Sequence, residues 1–100
     1  MTNINIFQDG EKTVLQLQQN LVASFVPEVK QELKKVVDKG EVVVVDMKNV
    51  SMVDSTGIGL LMAAHNSLRE TDKVLEIRNA SHEIVKLFKT MSFDRRFIVS

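Results

Sequence analysis

One hundred residues, 44% of them hydrophobic and 26% charged, have the length and balance of one globular domain covering residues 1–100. The 13 basic and 13 acidic residues cancel, no basic stripe stands out, and neither Trp nor Tyr is present, so nucleic acid is not an expected partner. With no cysteine there are no disulfides, thiol redox chemistry or cysteine-based metal sites, and no apolar run approaches the roughly 20 residues of a membrane span.

The N-terminal residues lack the charged and apolar regions of a signal peptide, so a cytoplasmic location is expected. Ile4 and Phe7 mark a first strand closed by the turn dipeptide Asp9-Gly10. Thr13–Gln18 alternates apolar and polar at Leu15/Leu17 against Gln16/Gln18, giving a second strand and an antiparallel hairpin. From Ser24 to Asp38 the period lengthens. Phe25, Val29, Leu33, Val36 and Val37 form one stripe of an amphipathic helix, with Ser24 as the expected N-cap, Pro27 in the first turn and Gly40 beyond the end.

Val42–Asp46 is a β-branched run suited to a central strand buried on both faces. A second helix is expected from Thr56 to Glu70, a strand from Lys73 to Arg78, and a third helix capped by Ser81 with apolar positions Ile84, Val85, Leu87, Phe88 and Met91. Phe97-Ile98-Val99 supplies a short edge strand. Alternating strands and helices predict an α/β domain with a mixed β-sheet, packed α-helices and an N-terminal β-hairpin.

The stretch from Val53 to Leu61 carries the functional signal. It follows the valine strand and opens the second helix, so Asp54, Ser55 and Thr56 sit at a strand-to-helix turn. Free N–H groups and the positive end of the helix dipole suit that place to an anion: a ligand, a reaction intermediate, or a phosphate on Ser55 itself.

Rival chemistries fit poorly. A nucleophile elbow needs Gly two residues before the serine, where Val53 stands. His65 is ten residues along the same helix, about 15 Å away at helical rise, and His82 is expected at the surface of the third helix's first turn. No catalytic residue is therefore assigned. Gly57-Ile58-Gly59 lacks the third glycine of a dinucleotide fingerprint and the lysine of a P-loop. Close packing on the neighbouring strand is the structural reading of these glycines, at Gly59 above all. Asp46, Asp54 and the histidines show no metal-ligand spacing, and no metal or cofactor is expected.

Asp54-Ser55-Thr56-Gly57-Ile58-Gly59-Leu60-Leu61, after the valine strand and Met52-Val53, resembles the signature of the STAS family, and the order of elements matches over essentially the whole chain. The bacterial single-domain members are the anti-sigma factor antagonists. The resemblance implies a non-enzymatic phosphoswitch in which Ser55 is phosphorylated by an anti-sigma factor with serine-kinase activity. The unphosphorylated form binds that kinase and frees the sigma factor, and a PP2C-type phosphatase removes the mark. Many relatives carry an acid where this chain has Val22, within Gln19-Asn20-Leu21-Val22. Other family members are cytoplasmic subunits of lipid-transport ABC systems, so a constitutive scaffold, with Ser55 only capping the helix, is the alternative.

The helical wheel completes the expected site. Gly57, Leu60, Leu61, Ala64 and Leu68 form the core face, while Ile58, Met62, His65 and Arg69 fall on the side that carries Ser55. Asp54, Ser55, Thr56, Ile58 and Met62 are the expected partner-binding residues, the alternative for Ile58 and Met62 being that a loop of the same chain covers them.

Overall fold

A computed structural model describes residues 3–93, 98 and 99. The turn at Asp9-Gly10 works because Gly10 takes a φ of 63°, a left-handed conformation that costs glycine little. It joins β1 (Ile4–Asp9) to β2 (Lys12–Leu17), which pair antiparallel from Ile4↔Leu17 to Asp9↔Lys12. After α1 (Val26–Asp38) the chain enters β3 (Val42–Asp46), then α2 (Ser55–Arg69), β4 (Glu76–Arg78), α3 (His82–Thr90) and β5 (Ile98–Val99). The sheet order is β1-β2-β3-β4-β5, and every pairing after the first is parallel. Parallel neighbours need a crossover, and the right-handed rule puts all three crossover helices on one face of the sheet.

That face holds the core. Leu15 and Leu17 of β2, Val43 and Val45 of β3 and Ile77 of β4 pack with Val29 and Leu33 of α1, Leu61 and Leu68 of α2, and Phe88 of α3. The expected central strand is central: Val43, Val44 and Val45 are all fully buried. On the opposite face, Val14 and Val44 are buried without a covering helix. Around them stand the half-exposed ring of Phe7, opposite Val14 on β1, and several polar side chains. Lys12 meets Glu76 at 2.8 Å, Arg78 meets Asp9 at 2.9 Å, and buried Asp46 accepts from Asn79 Nδ2 at 3.1 Å and from Lys48 N–H at 2.9 Å.

Two local expectations are corrected. Ser24 is not the cap of α1. Phe25 holds that position without a side-chain hydrogen bond, after a turn in which the N–H groups of Phe25 and Val26 both donate to Val22 O. Pro27 follows at the helix start, where its missing N–H costs nothing. The strand expected from Lys73 shortens to Glu76–Arg78, because the Lys73 N–H donates to Leu68 O at the end of α2 rather than joining the ladder. Leu75 and Ile77 are nevertheless buried and Val74 exposed, as the alternation requires. Ser81 caps α3, accepting from Ile84 N–H at 3.2 Å. Ile98-Val99 forms the expected edge strand; Phe97 lies outside the described residues.

Phe88 anchors α3, with its ring 6.0 Å from that of Phe93 and no exposed surface. Phe88→Ala should cost about 3–5 kcal/mol, read as the loss of unfolding free energy in a denaturant titration.

Candidate functional site

Beyond β3 the chain does not pass directly into a helix. Residues 47–54 form a long connection that returns to pair with the segment leaving β2. Leu21 and Val53 form a parallel bridge, with Leu21 N–H donating to Met52 O at 3.1 Å and Asp54 N–H donating to Leu21 O at 3.2 Å. Leu21 is fully buried and Val53 nearly so, which turns their neighbours Asn20, Met52 and Asp54 toward the outside. Asn20 Oδ1 accepts from Ser51 N–H at 2.8 Å, from Ser51 Oγ at 2.9 Å and from Met52 N–H at 3.1 Å.

Asp54 closes the other end. It is the N-cap of α2, with Oδ1 accepting from Gly57 N–H at 2.9 Å, while Oδ2 accepts from Ala23 N–H at 2.9 Å. One carboxylate therefore caps the helix and fastens the β2–α1 segment. The Gly57 N–H first and the Ala23 N–H second hold the Asp54 carboxyl below its ordinary value. Charge-assisted bonds at a helix N-terminus favour the ionised form for the same reason.

Ser55 and Thr56 follow as the first helical residues, and both are exposed. Neither hydroxyl makes a hydrogen bond among the described residues. Ser55 is thus next to the cap rather than the cap itself. Ile58 and Met62 are half-buried, each packed in part against the core cluster, on the flank of α2 that follows from Ser55.

The two glycines exchange roles relative to the sequence expectation. A Cβ on Gly57 would lie 2.9 Å from Leu21 Cγ and 3.0 Å from Val53 Cγ1, and closer still to the Leu21 carbonyl oxygen. Gly57 is where backbone meets backbone. Gly59, expected to pack on a strand, is exposed and has nothing within 4 Å of such a Cβ. His65 also moves: expected on the outer flank, it is only 4% exposed. The buried arc of α2 is wider than a single stripe and takes in His65 beside Leu61, Ala64 and Leu68. His82 is exposed in the first turn of α3, as expected.

Asn20 and Leu21 were not legible as site residues, having appeared only as part of the stretch that departs from the family pattern. The one available signal was an Asn at the end of a strand, where its side chain commonly binds nearby backbone.

A family model described as Mlab, STAS domain matches residues 4–100. The chain belongs to the STAS family. The anti-sigma-B factor antagonist of Listeria monocytogenes is 33% identical over 88 residues, covering 87% of this chain and 69% of that protein. Among solved structures, an anti-sigma-factor antagonist (STAS) domain protein from Planctomyces limnophilus superposes with a TM-score of 0.85 at 18% identity, over 100% of this chain and 90% of the other. The Bacillus cell fate determinant SpoIIAA in its phosphorylated form gives a TM-score of 0.75 at 17% identity, over 97% and 90% of the two chains. At these identities the solved structures establish the fold. Among the described residues of this STAS chain, no helix is long and apolar enough to cross a membrane.

The glycine contrast is testable. Gly57→Ala should destabilise by about 1–3 kcal/mol through overpacking, whereas Gly59→Ala should stabilise by up to about 1 kcal/mol through helix propensity; paired urea titrations measure both.

Asp54 makes a second test. Folding lowers its carboxyl from 3.8, so its contribution is complete above that value and disappears as pH falls toward the lowered one. The stability advantage of wild type over Asp54→Asn should therefore be constant near neutrality and shrink below about pH 4, as followed by urea melts across an acid series.

Proposed function

We propose that this chain is a phosphoswitch of the anti-sigma factor antagonist type, acting in the bacterial cytoplasm without catalytic activity of its own. With Ser55 unmodified it binds an anti-sigma factor that is also a serine kinase, and phosphate on Ser55 releases that partner. A PP2C-type phosphatase restores the binding form. Asp54, Ser55, Thr56, Ile58 and Met62 contribute the contact surface, with Ile58 and Met62 supplying the apolar part.

The observation that carries this reading is the position of the Ser55 hydroxyl. It is exposed at the start of α2, yet Asp54 already performs the capping. A serine with no structural duty at an anion-favouring helix start is suited to carry a phosphate, whose charge the dipole tolerates. The modification would change what a partner meets while leaving the fold in place. The Listeria relative's name and the existence of SpoIIAA structures in both phosphorylated and unphosphorylated forms support the same reading. The alternative is a constitutive scaffold without phosphorylation; the capping role that Ser55 would have there is performed by Asp54.

Intact-mass measurement on protein from its native cells, with and without phosphatase treatment, tests the switch. Phosphopeptide mapping should place the mark on Ser55 and not Thr56, and a mark that survives Ser55→Ala would refute the assignment. Absence of any phosphate, with undiminished partner binding by Ser55→Asp, would favour the scaffold.

Ser55→Asp should abolish binding of the anti-sigma factor while leaving the melting temperature near wild type, because a carboxylate at the helix start gains about 0.3–1 kcal/mol from the dipole against repulsion from Asp54. Ile58→Ala and Met62→Ala should each weaken binding by about 1–2 kcal/mol, measured by calorimetry, in variants that still melt cooperatively.

A further inference from the structure

We propose that Asn20 is a positioning residue for the Ser55 turn: its carboxamide oxygen pins the register in which the 51–54 segment pairs with the segment leaving β2, and so fixes where Ser55 points. This rests on the reading of Ser55 as the functional residue, but the geometry it concerns belongs to the chain alone.

The pairing that carries Ser55 is slender. A single parallel bridge, Leu21↔Val53, joins the two segments. Register in a sheet is normally enforced by which residues must be buried, since a shift of one residue turns every side chain to the other face. Here that enforcement is weak, because Met52 and Val53 are adjacent and both apolar, and either could fill the inward place. In the structure Val53 is 8% exposed and Met52 54%. A slip of one residue would bury Met52 and rotate the start of α2.

Polar contacts on each side of the bridge prevent this. On one side Asp54 reaches the Ala23 N–H. On the other, Asn20 Oδ1 gathers the Ser51 N–H, the Ser51 hydroxyl and the Met52 N–H. These three donors converge on one oxygen, a geometry that no neighbouring register would reproduce. Asp54 also caps α2, so its loss would disturb the helix directly. Asn20 has no such second duty, and it is the oxygen rather than the amide nitrogen of its side chain that makes these bonds. A carboxylate should therefore replace it and an alanine should not.

The test uses the intact chain and needs no partner. Because the sequence has no cysteine, Ser55→Cys provides a single thiol whose titration reports its place at the helix N-terminus. In that background, Asn20→Ala should speed exchange of the Ser51 and Met52 amides about tenfold, the scale of one hydrogen bond's net contribution. It should also shift the thiol titration, with the β3 amides still protected. Asn20→Asp should restore both. Unchanged exchange at Ser51 and Met52, or faster exchange with an unmoved thiol, would overturn the proposal. If Asn20→Ala fails to fold, Asn20→Asp carries the test by NMR. Three converging donors should hold the new carboxyl below the ordinary Asp range, and an ordinary titration would overturn the proposal. Failure here leaves the phosphoswitch standing, since that is judged separately by mass and phosphopeptide mapping.

Discussion

A single carboxylate holds together the part of this molecule on which its proposed function depends. Asp54 satisfies an N–H of the helix it caps and an N–H of a segment more than thirty residues earlier in the chain. Either bond alone would be an ordinary local contact. Shared on one group, they make the helix start, the 47–54 connection and the β2–α1 segment one body. Gly57 makes this possible, because only a residue without a side chain lets the first turn of α2 come against the Leu21 carbonyl.

The sheet explains why this junction lies where it does. Parallel strands deliver their C-terminal ends to the same edge, and the helix that follows each strand begins there. The ends of β2 and β3 are neighbours in the sheet, so the segments leaving them are side by side before their helices diverge. The face opposite the helices carries paired charges and amides around its buried valines, with exposed Phe7 opposite Val14. The helix-start edge brings exposed Ser55, Thr56 and Met52 together.

Much of this was legible in the sequence because the relevant signals are periodic. The valine run of β3, the alternation in β2 and the stripe of α1 each state which face is buried, and the Asp9-Gly10 and Ser81 signals marked a turn and a cap. The site was legible as far as Asp54, Ser55 and Thr56, whose order along the chain already implies a helix start. What escaped was everything set by contacts distant in sequence. Nothing local distinguishes Gly57, pressed against a carbonyl, from Gly59, which faces open space. The buried place of His65 depends on what packs beside α2, and the role of Asn20 depends on a loop thirty residues away. Ser24 failed as a cap because the turn closed by Val22 O satisfied the same need without it.

The same remoteness bears on how the site comes into being. Its two halves are separated by the whole of α1 and β3, so they meet only after that crossover has closed, and loop closure must come before any reward from the contact. The Ser55 turn is therefore a product of completed folding rather than of its own residues. A short peptide copied from this stretch would have the hydroxyl but neither the Leu21 carbonyl that defines the close approach nor the Ala23 amide that fixes the carboxylate. An enzyme that recognises Ser55 in this setting would be inspecting the finished domain, and an unfolded or nascent chain would pass unmarked.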